Sequence, residues 1–136
     1  MAQSDPLVVP PLCEPLKRPE SFDVLDLYSA TVTIAHEAVF DLHRELIGLG
    51  AADEHTRALL RESATLSQGR MPTLTHQLRA LGAEWERQEL LDPVAAARTI
   101  ERFEEVLARV RPQIVALRIR QDQIAVELCD LLSRAR

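Results

Sequence analysis

Glycine occurs only four times in this chain of 136 residues, asparagine not at all, and lysine once against fifteen arginines. Four glycines leave little from which to build a phosphate-cradling loop. The chain has no P-loop, no Rossmann glycine pattern and no G-x-S-x-G turn. Aromatic residues make up 4%, so the core must come from Leu, Val, Ile and Ala. The interleaved aromatics on which single-stranded nucleic acid stacks are missing. No apolar run approaches the roughly 20 residues that span a bilayer. Met1–Val9 lacks the basic start and long apolar stretch of a secretory signal. The two cysteines, Cys13 and Cys129, form neither a disulfide framework nor a zinc pattern. These absences predict a cytoplasmic protein with reduced thiols. Arg and Ala have GC-rich codons and Lys and Asn AT-rich ones, so the composition points to a GC-rich, bacterial coding sequence.

What is present fits one globular domain. The apolar share is 46% and the charged share 27%, close to ordinary globular usage, and the length suits a single core. Sixteen basic residues against twenty-one acidic ones give a net charge of −5. That balance makes nucleic acid an improbable partner.

Five of the eight prolines fall at positions 6, 10, 11, 15 and 19. Proline removes backbone donors and biases its neighbour to extended geometry, so residues 1–20 are predicted to form an extended arm. Val9, Leu12 and Leu16 punctuate that arm. A solvated linker has no use for them, so they are expected to lie in a groove of the same domain or on a partner.

Residues 21–136 read as an all-α domain. The first helix is predicted from Ser21 or Asp23 to about Leu49, with Val24, Leu27, Thr31, Ile34, Ala38, Leu42, Leu46 and Leu49 as its apolar stripe and Gly48 and Gly50 as its stop. Asp53 caps the next, which Gly69-Arg70-Met71-Pro72 interrupts. Helical spacing resumes at Leu74, Leu78, Leu81 and Trp85, with Trp85 read as core. Asp92-Pro93 is a strong helix start. Beyond it, Ile100, Phe103, Leu107, Val110, Ile114, Leu117, Gln121, Ile124, Leu128 and Leu131 alternate steps of three and four. This is a heptad seam, over a helix of about 60 Å. Pro112 falls opposite the seam and should bend the helix without ending it, and Gln121 is a polar break at an a position. Val106, Val115, Ile119 and Val126 lie off the seam. A stripe that broad suits a bundle core, or a bundle on one side and a partner on the other. Cys129 lies in an apolar run and is expected to be buried. The predicted fold is an elongated antiparallel bundle of three long helices, the middle one broken near Pro72, preceded by the proline-rich arm.

No catalytic constellation emerges. A di-iron bundle needs Glu-x-x-His on two helices, and no Glu here is followed by His at that spacing. His36 and His43 share a face about 10 Å apart, too far for one metal. No metal or other cofactor is therefore expected. The run from Leu117 to Ile124 resembles the opening helix of all-helical chorismate mutases, which place Arg on long helices to hold a dicarboxylate. The likeness covers one helix, in the wrong order along the chain, and departs at Ala125 where a second acid would stand.

Arg109, Arg111, Arg118 and Arg120 form a basic stretch, with no acid between Glu105 and Asp122. Asp23–Ala52 carries five acids against one base, and Pro93–Arg136 eight bases against six acids. The first and last helices are therefore expected to pack side by side, with the arginines pairing across the contact or docking an acidic partner. The predicted function is a non-enzymatic helical interaction module: an adaptor, accessory subunit or chaperone-like protein, expected to form a homodimer. The residues expected to carry the interaction are Val9, Leu12, Leu16, Arg109, Arg111, Leu117, Arg118, Ile119, Arg120 and Ile124. The alternative is a small helical enzyme or enzyme regulator with an Arg-lined anion pocket between helices.

Overall fold

The computed structural model describes residues 17–136. Four helices make three rods. They are α1 (Glu20–Gly48), α2 (Glu54–Thr65), α3 (Met71–Gln88) and α4 (Pro93–Ala135), with a π-helical turn, Leu66–Arg70, joining α2 to α3. Consecutive rods run antiparallel, which leaves α1 and α4 parallel to each other. Phe22 meets Phe103 near one end, and Glu45 meets Arg136 at the other.

Local chemistry explains each boundary. α1 starts slightly earlier than its sequence suggests, with extended Pro19 at the N-cap and no side-chain cap. It ends where Gly50 takes φ +67, so that the N–H of Ala51 returns to Leu46 O at 2.9 Å and that of Gly50 to Ile47 O at 3.0 Å. Asp53 opens α2 with a capping box shared with Thr56. The Thr56 backbone N–H holds the Asp53 carboxyl below its usual range. Asp92 accepts from Ala95 N at 3.1 Å and opens α4, with Pro93 in the first turn.

The interruption near Pro72 is a change of pitch. Proline offers no N–H to the residue four back, and its ring crowds that carbonyl. The chain inserts one residue just before it, so that Met71 N–H bonds Leu66 O five positions back. The middle rod thus runs on from α2 into α3. Pro112 sits within α4 on its exposed side, and the helix continues across it.

The core falls into two clusters. The first holds Phe22, Leu25, Val32, Met71, Leu78, Leu81, Trp85, Phe103, Val106, Ile114 and Leu117. Phe22 packs edge-on to Trp85 at 5.4 Å and against Phe103 at 4.4 Å between ring centroids. The second holds Val39, Leu46, Leu59, Ile124, Leu128 and Leu132 and contains no aromatic ring. A polar belt lies between them. Gln121, wholly buried, donates through Nε2 to Val32 O at 3.2 Å, joining α4 to α1. His36 Nδ1 and Ser63 Oγ, 2.9 Å apart, join α1 to α2. Arg120 donates to both Glu62 oxygens, at 2.5 and 2.7 Å, joining α4 to α2. Each pair of rods thus has one polar tie at this level.

Candidate functional site

The heptad seam of α4 is spent inside the bundle. Phe103, Val110, Ile114, Leu117, Gln121, Ile124 and Leu128 are all buried there. Leu117 and Ile124 therefore face their own core and offer nothing to a second chain. Of the apolar residues off the seam, Val106 is also buried. Val115, Ile119 and Val126 are exposed, and Cys129 shares their side of the helix in the open. The expectation of a buried Cys129 is corrected by helix geometry. It follows Val115, Ile119, Asp122 and Val126 in steps of four and three, and that second stripe points outward.

Ile119 belongs to a groove. Across it, on α1, stand Leu27 and Ile34, with Thr31 and Ala38 completing the same four-three spacing. The parallel course of α1 and α4 keeps the two stripes level. Leu27, Tyr28, Thr31, Val115, Arg118 and Ile119 line one concavity of about 270 Å³. Thr31, Ile34, Ala38, Arg118, Gln121 and Ala125 line a second of about 290 Å³. The shared Thr31 and Arg118 make the two one continuous trough. Its four large exposed apolar side chains, Leu27, Ile34, Val115 and Ile119, are 44–61% exposed. Singly exposed apolar residues are ordinary, but a contiguous rank on two neighbouring helices marks an interaction surface. Leu90, Leu91 and Val94 are exposed too, but they crown the α3–α4 turn and have no facing bank.

The four arginines of the basic stretch each have a contact within the chain. Arg120 forms the bidentate pair with Glu62. That pair raises the guanidinium pKa and lowers that of the Glu62 carboxyl. Arg118, on the floor of the trough, bonds Asp122 one turn on, at 3.2 Å. Arg109 reaches Gln77 at 3.2 Å, and Arg111 lies over the Tyr28 ring at 5.9 Å. The four do not converge on one pocket. Val9, Leu12 and Leu16 lie outside the described residues.

Sequence reasoning missed Leu27, Ile34 and Val115 as site residues. The signal was there in Val115, which lies off the seam one turn before Ile119. Leu27 was absorbed into a predicted core stripe, as was Ile34. In the structure the buried side of α1 is instead drawn by Leu25, Val32, Val39 and Leu46.

Among the described residues, no group of three His, Cys, Asp or Glu side chains could hold a metal ion. No described helix is long and apolar enough to cross a membrane. The fold and the trough define an all-α bundle of three rods with one open two-helix face. Comparison with protein-family models, curated proteins and solved structures finds no match for this chain.

Proposed function

We propose that this protein is a non-enzymatic helical interaction module, an adaptor, accessory subunit or chaperone-like protein of the cytoplasm, whose working surface is the α1/α4 trough. One observation carries the reading: two level stripes of exposed apolar side chains at four-three spacing on adjacent parallel helices. Such a surface is the seat of a further helix, read as anchors at i, i+3, i+4 and i+7. Arg118, which lines the trough, is engaged with Asp122, and nearby Arg111 lies over Tyr28, so no observation favours the enzyme alternative.

The helix that fills the trough belongs either to a second copy or to another protein. Light scattering over a concentration series separates the two. A dimer that Ile119→Asp converts to monomer, with helical content unchanged, assigns self-association to this face. A dimer indifferent to both Ile119→Asp and Ile34→Asp places the contact elsewhere and overturns the assignment. A monomer at every concentration removes the homodimer and leaves the heterologous form.

A further inference from the structure

We propose that in the free chain the trough is covered by the chain's own Leu7-Val8-Val9-Pro10-Pro11-Leu12, which a partner's helix must displace. The proposal rests on the docking reading above and adds its regulation: the seat is held in cis until a competitor arrives.

Reach places the segment. Residues 17–19 stand at the head of α1, with Pro19 extended. Arg18 is tied to the flank of that helix through Asp23 at 3.1 Å and Asp26 at 2.9 Å. Asp23 lies one turn before Leu27 on the same face, so the base of the arm is held on the side of α1 that becomes the trough's bank. From Pro19 to Leu27 is about 12 Å along the helix, which about four residues cover at about 3.1 Å each in polyproline geometry. From Leu27 to Ala38 is about 17 Å, which takes about six more. Counted back from Leu16, the six that fall over the trough are residues 7–12. A tether this short gives the segment an effective concentration of the order of millimolar, an advantage that no separate chain shares.

The chemistry of those six residues matches the lining. They carry no charge and no polar side chain. The charged groups of the trough are Arg118 and Asp122, paired with each other at 3.2 Å, so an uncharged occupant leaves no charge without its partner. The banks are helix flanks, whose N–H and C=O groups are used within each helix. An extended occupant therefore finds no ladder to join and must keep its own backbone in water. A proline segment meets that condition, because polyproline geometry has no internal hydrogen bonds and a solvated backbone, and Pro10 and Pro11 have no N–H at all. Tyr28 lines the trough at the end nearer the arm, and aromatic rings are what proline-rich segments pack on. Leu27, Ile34, Val115 and Ile119 give the apolar area that such a contact removes from water. Release of the arm is a local opening that leaves the bundle intact, so a competing helix can take its place without unfolding the chain.

The test uses the full chain with the exposed Cys129 changed to Ser, so that a nitroxide attaches to Cys13 alone. The label is expected to broaden the amide NMR signals of residues 27–31 and 115–119 more than those of residues 78–82 on α3. That stretch of α3 holds Arg79, bonded to Ser29 on α1, so it stands level with the trough on another side of the bundle. Ile119→Asp should remove the difference. A mixture of isotope-labelled chain without nitroxide and unlabelled chain with it should show no broadening. A second measurement uses a synthetic helix of two heptads, with Leu and Ile on one stripe and Gln elsewhere, read by fluorescence anisotropy. It should bind the full chain carrying Val9→Asp and Leu12→Asp about tenfold tighter than the native chain, as when the arm closes about nine-tenths of the molecules. Even broadening, with equal helix affinity for both chains, overturns the arm's placement and leaves the docking function standing. Trough broadening with equal helix affinity overturns the competition between arm and helix. Broadening in the mixture gives the trough to a second copy's arm and overturns the contact in cis. Trough broadening with no helix bound by either chain keeps the arm and overturns the docking of a partner helix. Even broadening with no helix bound overturns both.

Discussion

The two ends of the bundle bury comparable seams with different materials. At the end where α1 begins, three aromatic rings meet: Phe22 stands between Trp85 and Phe103. At the other end, Val39, Leu46, Leu59, Ile124, Leu128 and Leu132 pack with no ring among them. Large rings bury more surface per residue and fix geometry through their quadrupoles. Branched aliphatics interdigitate and tolerate small shifts. The aliphatic end therefore depends more on something else to hold its register, and the polar belt of Gln121, His36–Ser63 and Arg120–Glu62 sits at its border. A heptad seam is nearly degenerate to sliding by one repeat, whereas a buried amide with one acceptor in reach is not.

The largest expected effect breaks the aromatic end. Phe103→Ala should cost about 3–5 kcal/mol, and Leu128→Ala at the other end about 2–5 kcal/mol, both read by urea denaturation. If the ends differ as argued, Phe103→Ala should also disturb the Trp85 emission of the native state, while Leu128→Ala leaves it unchanged. A matching change in both would show that the clusters behave as one core.

The next effect sharpens the role of the belt. Gln121→Leu removes one buried hydrogen bond, worth about 1 kcal/mol net. It also removes a buried amide oxygen that has no protein partner, whose desolvation costs about 1–3 kcal/mol. The variant should match the native stability or exceed it by about 1 kcal/mol. Its amide NMR spectrum should broaden or double for residues of the aliphatic end, as register loosens there. A variant that is both less stable and uniformly folded would count against the belt as a register device.

The same contrast explains what the sequence could reveal. The α4 seam was legible because a four-three pattern over ten residues has few competing explanations. The caps at Asp53 and Asp92 were legible because capping is local chemistry. On α1, Val24, Leu27, Thr31 and Ile34 make an acceptable stripe, but so do Leu25, Val32, Val39 and Leu46. Periodicity cannot say which of two apolar faces meets the rest of the chain, and the structure gives that place to the second. The π-turn was half legible. Pro72 announced an interruption, but whether the rod separates or widens by one residue depends on packing on both sides. The four α4 arginines were legible as a run of charge. Their partners, Glu62 on α2, Gln77 on α3 and Tyr28 on α1, lie far off in sequence, as tertiary contacts do.

A smaller effect comes from the ionic part of the belt. Arg120 holds the Glu62 carboxyl below its ordinary value of 4.5. A carboxyl more acidic in the folded than the unfolded chain adds stability above that ordinary value. The contribution is lost as pH falls below about 4.5 through the lowered folded value. Both side chains are about two-fifths exposed, so solvent screening limits the pair to roughly 1 kcal/mol or less. Glu62→Gln should lower stability at pH 7 by no more than that. It should also flatten the acid limb of the stability profile, measured by urea midpoints between pH 3 and 7. An unchanged acid limb would mean that the pair contributes nothing in solution.

The smallest expected effect on stability falls on the trough, and its smallness is the point. Ile119 is 52% exposed and Ile34 61%, so each isoleucine gives up little buried surface on becoming Asp. Surface changes away from caps, cores and buried networks stay within about 0.5 kcal/mol. A new carboxylate at position 119 stands one residue from Arg118, which offsets part of its repulsion from Asp122. Ile119→Asp and Ile34→Asp should therefore unfold at the native urea midpoint within error and keep the native helical signal. A residue that the bundle needed would fail this test, as Ile114→Asp, only five residues away and buried, should do outright. If Ile119→Asp is equally damaging, the second stripe is part of the fold, and the trough loses its claim to be a surface kept for another helix.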